Sequence, residues 1–228
     1  EIAQCLVGSE MCIRDRYKVV GINGRGTSEE MAYLLKYDSA QGGFEESSVS
    51  FTEEGIIFED ELIKTYQFDN PEECPWKELD VDCVLECTGA FTKYEDAYKH
   101  IKAGAKHVVI SAPGKGDMKT IVFGVNDNEL TGDEEIISAA SCTTNCLTPV
   151  LRVIDHYFGI ESGFMSTIHA LTNDQNILDG SHKKGITSRR GRAAVNNIIP
   201  TSTGAASAVG KVPVSYTHLR AHETLSDL

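Results

Sequence analysis

Residues 135–146 read EIISAASCTTNC, and this stretch joins a predicted buried strand, Glu135 to Ser138, to a helix that continues through Leu147 to Phe158. Unsatisfied N–H groups and the helix dipole stabilise an anion at a helix start, where a thiol pKa falls from about 8.5 to roughly 3.5–7.5. Cys142 is therefore a candidate nucleophile. The flanking hydroxyls and Asn145 can equally cap a helix beside a small buried thiol, so both interpretations stay open here.

A nucleophilic cysteine needs a base, and His169 is the candidate. Residues 163–175 predict a strand that ends at this histidine and opens into a polar loop. A strand, helix, strand unit can return the imidazole to the thiol, although a strand histidine is also commonly a hydrogen-bonded core residue. The spacing of Cys142 and Cys146 occurs at metal sites too. No second Cys or His pair stands at ligand spacing, which disfavours zinc.

Composition narrows the classes of protein. With 228 residues, 41% hydrophobic, the chain can bury a sizeable core in one or two domains. No apolar run approaches the roughly 20 residues that span a bilayer, so no membrane role is predicted. Seven cysteines, an odd number, argue against a disulfide framework and for a reducing cytosol. A net charge of −13 disfavours nonspecific nucleic-acid binding.

Short apolar runs alternate with helical patterns, which predicts a doubly wound parallel α/β sheet. The predicted strands are Lys18–Ile22, Asp82–Glu86, Lys106–Ser111, Ile121–Phe123 and Glu135–Ser138.

Local signals place further elements between these strands. The capping box Thr27-Ser28-Glu29-Glu30 predicts a helix over Met31, Leu34 and Leu35. Segments 49–51 and 55–58 predict a hairpin, and a helix over 94–103 is expected to stop at Gly104 as an αL cap.

Six motifs between about Tyr17 and Lys211 resemble those of phosphorylating glyceraldehyde-3-phosphate dehydrogenase and occur in the same order as in that family. Six matches in the same order do not arise by chance. The matching segments are Leu35–Ser39, Cys87–Phe91, Ile110–Pro113, Ala140–Leu147, His169–Gln175 and Pro200–Ala206.

The resemblance implies a Rossmann-type NAD(P)-binding domain over 17–141, lacking its first strand and glycine turn, and a partial catalytic domain over 142–212. Segments 1–16 and 213–228 match nothing in the family and resemble translated sequencing adapter, so both are predicted to be non-native. Because the glycine turn and everything after about Val212 are missing from this pattern, the chain as written is expected to be inactive.

The glycines at 21–26 resemble a phosphate-cradling turn. Counting back from Lys36–Ser39 instead sets Ile22-Asn23-Gly24 at the end of the family's second strand, and we favour this register. In the family an Asp at the position of Gly24 binds the adenosine ribose and repels a 2′-phosphate; here that carboxylate is absent and Arg25 follows. Ser181 stands where NAD-specific members commonly carry Pro. NAD(P) is expected, with NADP modestly favoured.

The implied activity converts glyceraldehyde 3-phosphate, phosphate and NAD(P) to 1,3-bisphosphoglycerate, with Cys142 as nucleophile and His169 as base. The intact relative is expected to be a cytoplasmic homotetramer. The remaining implied contacts fall into three sets: Ser141, Thr143, Thr203 and Gly204 for the attacking phosphate; Thr172 and Asp174 for the substrate phosphate; and Asn23, Thr88, Ser111 and Asn173 for the cofactor.

Two alternatives stay open. One is a sister enzyme acting on erythrose 4-phosphate, and the other is a noncatalytic redox-sensing or binding protein that keeps the fold. The cationic loop 181–197, with Lys183, Lys184, Arg189, Arg190 and Arg192, can attract phosphates or form a solvated loop or subunit interface. Cys146 is expected to be a packing residue one helical turn beyond Cys142.

Overall fold

The computed structural model describes residues 17–38, 42–44, 46–177, 182, 185, 187–193, 195–205, 209–210 and 225–227. The chain divides into two compact units. The first contains the described residues up to Lys119 and then Thr131–Ala139, and the second contains Thr120–Leu130 and the described residues from Ala140 onward. Among the residues described, no helix has both the length and the apolarity needed to cross a bilayer.

The first unit opens with a mixed sheet. Its strands are β1 (Gly21–Asn23), β2 (Val49–Thr52), β3 (Gly55–Phe58) and β4 (Glu61–Tyr66), in the order β1-β4-β3-β2. β1 and β4 run parallel, and β2–β3 is the predicted antiparallel hairpin. A short 3₁₀ helix, Glu46–Ser48, precedes β2.

Helix α1 (Ser28–Lys36) packs on this sheet. The predicted capping box is present: Thr27 Oγ1 accepts from the Glu30 amide, and the Glu30 carboxylate accepts from the Thr27 amide. Met31, Ala32 and Leu35 are buried with sheet residues. Leu34, within the predicted helix, is exposed, whereas Ala32 is buried.

Strand β4 was not predicted. It follows β3 through the two-residue turn Glu59-Asp60, in which both residues have positive φ, 48° and 67°. Two-residue hairpins favour such turns, but their usual sequence signal is Asn-Gly or Asp-Gly. Glu59 and Asp60 do not carry this signal, so the sequence does not predict the hairpin.

The strands of the second sheet are β5 (Cys83–Glu86), β6 (His107–Ile110), β7 (Lys119–Thr120) and β8 (Ile136–Ser138), in the order β5-β6-β8-β7. They belong to the first unit except for Thr120, the last residue of β7. β5, β6 and β8 are parallel neighbours. The prediction of a parallel sheet at these strands is confirmed. Its core includes Trp76, Ala97, Val108 and Ile110. The 3₁₀ helix Pro71–Glu73 precedes Trp76.

Helix α2 (Tyr94–Lys102) ends at Gly104 as predicted. The Gly104 amide donates to the Ile101 carbonyl and the Ala105 amide to the His100 carbonyl, which is the Schellman pattern. Gly104 has φ +109°, and a Cβ there would lie 2.4–2.8 Å from atoms of Lys77. Both the backbone angle and the close approach require glycine.

The prediction of a strand at Ile121–Phe123 is wrong. The pairing residues are Lys119–Thr120, and the chain then turns. Asn126 produces this turn, since its Oδ1 accepts from the Val122 amide and its Nδ2 donates to the Thr120 carbonyl. The turn leads into the 3₁₀ helix Asp127–Glu129. Ile121 and Val122 are β-branched residues typical of strands, and both are buried, although they do not pair in a sheet.

The second unit contains helix α3 (Cys142–Phe158), strand β9 (Thr167–His169), and the 3₁₀ helices Asn173–Gln175 and Arg189–Gly191. Strand β10 (Leu225–Asp227) pairs with β9 in parallel. β10 lies in segment 213–228, whose non-native origin stays a prediction.

Candidate active site

The start of α3 is capped by Ser141. Its Oγ accepts a hydrogen bond from the Thr144 amide at 3.1 Å, and the Asn145 side-chain amide donates to the Ser141 carbonyl at 2.9 Å. The preceding residue, Ala140, is buried and has φ +61°. The left-handed backbone conformation costs an alanine roughly 1–2 kcal/mol. Such conformations are typical of residues held in place beside functional sites. The helix thus begins abruptly at Cys142.

The structure brings together the two residues predicted to do the chemistry. Cys142 Sγ lies 3.3 Å from His169 Nε2. Cys142 is the first residue of α3 and His169 the last residue of β9, so helix and strand each present one partner at an end. Both belong to the second unit.

A backbone hydrogen bond fixes the histidine tautomer. His169 Nδ1 lies 2.8 Å from the Ala170 carbonyl oxygen, which can only accept, so Nδ1 carries a proton. In the neutral ring Nε2 therefore presents its lone pair to the Cys142 thiol. This geometry suits proton transfer from sulfur to nitrogen.

The electrostatics favour a thiolate at Cys142. Partial burial opposes ionisation, but the hydrogen bond and charge of His169, with the hydroxyl and amide of Thr143, outweigh it and lower the Cys142 pKa. Burial and the charges of Glu73 and Glu86 instead raise the pKa of Cys74 to about 11. Burial likewise raises the pKa of Cys83. Cys142 is thus electrostatically distinct from these two thiols.

Cys146 corrects an expectation. Its side chain is exposed, so it does not pack in the core. Within the part of the chain that the structure describes, no group of three or more His, Cys, Asp or Glu is arranged to hold a metal ion.

The residues expected to bind phosphates lie in the second unit, at the start of α3 and in two later segments. Thr203 Oγ1 accepts from the Ala205 amide at 3.2 Å, with Gly204 exposed between them. Thr172 precedes the 3₁₀ helix Asn173–Gln175, and its amide donates to the Gln175 side chain at 3.0 Å. Thr143 is half-buried beside Cys142. The Asp174 side chain lies outside the described set.

The base-bearing loop has one feature that sequence reasoning missed. Gln175 is fully buried and holds the Thr172 amide through its Oε1. It thereby fixes the loop that follows His169. A glutamine gives no reason to expect full burial, and in the sequence Gln175 stands only as the last residue of the motif His169–Gln175.

The residues expected to meet the cofactor in the first unit stand at carboxyl ends of strands in two sheets. Gly24 and Arg25 follow β1 of the first sheet, whereas Thr88 follows β5 and Ser111 follows β6 of the second. Ligands of open α/β sheets bind outside the carboxyl ends of the strands. Gly89, next to Thr88, has φ +69° and no atom within 4 Å of where a Cβ would stand. The second sheet therefore has open space beside Thr88.

Two of these residues make contacts that define their roles further. Both ends of the Asn23 side-chain amide bond the backbone of Phe68, at 2.8 and 2.9 Å, so Asn23 ties the end of β1 to the loop after β4. The Arg25 guanidinium pairs with Asp69 at 3.2 Å, and both side chains are almost fully exposed. Such a pair contributes about 0–1 kcal/mol and is readily exchanged for another anion.

The remaining predicted residues are less informative. Asn173 is exposed at the start of its 3₁₀ helix. Arg189 and Arg190 lie in the 3₁₀ helix that ends at Gly191, followed by Arg192. Ser181, Lys183 and Lys184 lie outside the described residues.

The fold and the site together define an α/β protein of the dinucleotide-binding type in which a cysteine thiol contacts a histidine ring nitrogen. Family comparison agrees. Residues 4–94 match the family model for the glyceraldehyde 3-phosphate dehydrogenase NAD binding domain, and residues 141–220 match the C-terminal domain of the same enzyme. The chain belongs to the glyceraldehyde-3-phosphate dehydrogenase family. The predicted α/β cofactor domain followed by a catalytic-type domain is confirmed at the level of fold class.

Curated relatives give the extent of the similarity. The chain is 53% identical over 195 residues to the glyceraldehyde-3-phosphate dehydrogenases of Clostridium pasteurianum and Clostridium acetobutylicum, covering 86% of this chain and 58% of each relative. It is 50% identical over 194 residues to a chloroplastic glyceraldehyde-3-phosphate dehydrogenase of Arabidopsis thaliana, covering 85% of this chain and 48% of that protein. The chain thus spans about half the length of these relatives.

Proposed function

We propose that this chain carries the acyl-forming site of a phosphorylating glyceraldehyde-3-phosphate dehydrogenase. The observation that carries the proposal is the 3.3 Å contact between Cys142 Sγ and His169 Nε2 at the start of α3. The substrates are glyceraldehyde 3-phosphate and inorganic phosphate. Membership of the family supports this choice of substrates over an unrelated aldehyde.

The chemistry begins with sulfur. His169 Nε2 takes the thiol proton, and the Cys142 thiolate forms a bond to the aldehyde carbon while the carbonyl electron pair moves to oxygen and takes up a proton. NAD(P), when bound, supplies the hydride acceptor. In the phosphorolysis that follows oxidation to a thioester, a phosphate oxygen bonds to the acyl carbon. The Cys142 thiolate leaves and 1,3-bisphosphoglycerate is released.

The other residues bind and orient. Ser141, Thr143, Thr203 and Gly204 are proposed to hold the attacking phosphate through hydroxyl and amide donors. Thr172 and Asp174 are proposed to hold the substrate phosphate. Thr88 and Ser111 are proposed to hold the cofactor at the end of the second sheet. Asn23 fixes the end of β1 through its bonds to Phe68.

NADP is the proposed preference between the two cofactors. Gly24 brings no carboxylate to the end of β1, and Arg25 places a cation there. Arg25 pairs with Asp69 at the surface, and a phosphate can replace Asp69 as its partner. Ser181 completes the argument from sequence. The similarity to a chloroplastic relative is compatible with either cofactor.

The cofactor proposal has a direct test. Gly24→Asp should weaken NADPH binding more than NADH binding, because the new carboxylate repels the 2′-phosphate and accepts from free ribose hydroxyls. Gly24 does not have positive φ, so aspartate can adopt its backbone conformation. Titration calorimetry with both cofactors gives the ratio of dissociation constants; an unchanged ratio contradicts the preference for NADP.

We propose, from membership of the family, that the whole enzyme is a homotetramer and that it works in the cytoplasm.

Acylation is the sharpest test of the site, because Cys142 and His169 both lie in the second unit. The chain is incubated with p-nitrophenyl acetate, and mass spectrometry locates the acetyl group. Acetylation of Cys142 and its discharge by added phosphate are expected, with both lost in Cys142→Ser and retained in the exposed control Cys146→Ser. Equal acetylation of Cys142 and Cys146 would refute a specialised nucleophile.

A further inference from the structure

The first unit holds a buried polar chain that the chemistry described above does not use. It runs from Trp76 through His100 to Glu86 and ends at Thr88, just beyond β5. Trp76, His100 and Glu86 are only 5%, 4% and 3% exposed. Burying a carboxylate is costly unless its oxygens are fully bonded, so a buried Glu86 calls for an explanation.

The direction of each hydrogen bond follows from the indole. Trp76 Nε1–H can only donate, and it lies 3.0 Å from His100 Nδ1, which therefore accepts. The neutral ring then carries its proton on Nε2, 3.0 Å from Glu86 Oε2, which accepts it. A doubly protonated ring would set one donor against another at Trp76. In this series of hydrogen bonds, His100 is thus a neutral imidazole and Glu86 an ionised carboxylate.

The other oxygen of Glu86 holds Thr88. Glu86 Oε1 accepts from the Thr88 amide at 2.8 Å and from the Thr88 hydroxyl. Burial raises the pKa of Glu86, but hydrogen bonds from His100 and Thr88 outweigh it and keep that pKa below its usual value. Glu86 is therefore an acceptor for all of these donors at neutral pH.

This arrangement determines what Thr88 can offer to a ligand. Its hydroxyl proton is given to Glu86, and one oxygen lone pair accepts from the Ala90 amide at 3.1 Å. The remaining lone pair can only accept. A phosphate oxygen at this point would face another acceptor, whereas a ribose hydroxyl or a carboxamide N–H would find a partner.

We propose that Glu86 is a positioning residue that sets the Thr88 hydroxyl as a hydrogen-bond acceptor for a ribose hydroxyl or carboxamide N–H of the dinucleotide. The inference rests on the proposed function, because it takes the cofactor to lie at this edge of the sheet. Trp76 and His100 act through Glu86: Trp76 orients the His100 ring, and His100 Nε2–H satisfies Oε2, which leaves Oε1 for Thr88.

Substitutions separate this role from simple core packing. In Glu86→Gln, an amide oxygen turned to Thr88 sets the amide NH₂ against His100 Nε2–H, and the opposite orientation leaves the Thr88 amide without an acceptor. His100→Gln keeps the same polarity, because a glutamine can accept from Trp76 and donate to Glu86. Glu72→Gln is the matched control, since Glu72 lies in the same unit but pairs with Lys102 at the surface.

The first readout is amide hydrogen exchange of the 228-residue chain, compared at Thr88 and Ala90 and in the β2–β3 hairpin. Glu86→Gln should speed exchange at Thr88 and Ala90 roughly tenfold, the factor for a lost bond of about 1.4 kcal/mol, and leave the hairpin unchanged. His100→Gln and Glu72→Gln should stay near wild type. Unchanged exchange at Thr88 in Glu86→Gln would overturn the inference.

The second readout is NADH and NADPH binding. Thr88→Val and Glu86→Gln should each weaken both cofactors roughly tenfold, and Thr88→Ser should restore binding. Equal weakening by Thr88→Val and Thr88→Ser would also overturn the inference, because it removes the hydroxyl from the interaction. If the wild-type chain binds neither cofactor, the cofactor part of the proposed function fails, and the exchange data still decide whether Glu86 holds Thr88.

Discussion

At the residue scale, the reactivity of Cys142 depends on the imidazole that faces its thiol. His169 lowers the Cys142 pKa, so the thiolate persists to lower pH than in an ordinary cysteine and is lost as pH falls through the lowered pKa. His169→Asn removes that cause, so iodoacetamide labelling of Cys142 should become several-fold slower at pH 7 and its pH profile should move upward. Peptide mass spectrometry from pH 5.5 to 9.5 measures both.

Cys74 and Cys83 are internal references for that experiment, because burial raises their pKa values. They should label more slowly than Cys142 in the native chain and not respond to His169→Asn. A Cys142 profile that coincides with theirs would exclude an activated thiolate.

The sequence anticipated these residues unequally. The residue pattern made Cys142 and His169 candidates, because a thiol at a helix start and an imidazole at a strand end are visible in it, and the resemblance to the family then favoured the catalytic interpretation over the structural one. The exposure of Cys146 was missed, although positions i and i+4 share a helix face, and Cys142 itself must be accessible to react. The left-handed Ala140 has no sequence signal, since alanine gives no reason to expect positive φ.

At the element scale, Gly104 shows how one position fixes the end of a helix. Gly104→Ala should destabilise the first unit, because its φ of +109° costs roughly 1–2 kcal/mol and the Cβ clash with Lys77 adds roughly 1–3 kcal/mol. Gly132→Ala is the matched control: its φ is +92°, but its Cβ would meet no atom within 4 Å. Urea unfolding followed by the single tryptophan, Trp76, gives both values.

The two variants separate strain from steric overlap. Equal destabilisation would show that φ alone matters and that the Lys77 backbone moves aside. A larger loss in Gly104→Ala is expected.

Elements with local signals were predictable and the others were not. The capping box of α1, the β2–β3 hairpin and the glycine stop of α2 each depend on side-chain chemistry within a few residues. Strand β4 depends on the Glu59-Asp60 turn, whose positive φ values are imposed by the pairing of β3 with β4. The turn at Ile121–Phe123 depends on Asn126, whose side chain competes with strand pairing.

At the scale of the whole molecule, the sequence indicated a cofactor domain followed by a catalytic-type domain. It did not indicate that Thr120–Leu130 groups with the second unit while the flanking residues belong to the first. Unit membership depends on contacts distant in sequence, and no local pattern reports them. The chain thus leaves the first unit after Lys119 and returns at Thr131.

Glu134 links the two ends of the segment Thr120–Leu130. Its carboxylate accepts from Lys119 Nζ on the outgoing strand, and from the amides of Thr131 and Gly132 and the Thr131 hydroxyl on the return. The Lys119 hydrogen bond is the main cause that lowers the Glu134 pKa from its usual 4.5 to about 2, with the Thr131 amide next. The ionised clamp therefore joins two points of the chain 15 residues apart.

The acid sensitivity of the fold should reflect this clamp. A folded-state pKa below the unfolded value contributes stability that is complete above pH 4.5 and is lost as pH falls from 4.5 to about 2. Glu134→Gln should therefore be less stable than wild type at pH 7 and should lose less further stability across that window. Glu135→Gln, at the adjacent exposed position, should behave like wild type. Urea midpoints of the three proteins at pH 7, 4.5 and 3 test this, and parallel acid losses in wild type and Glu134→Gln would show that other carboxylates control the transition.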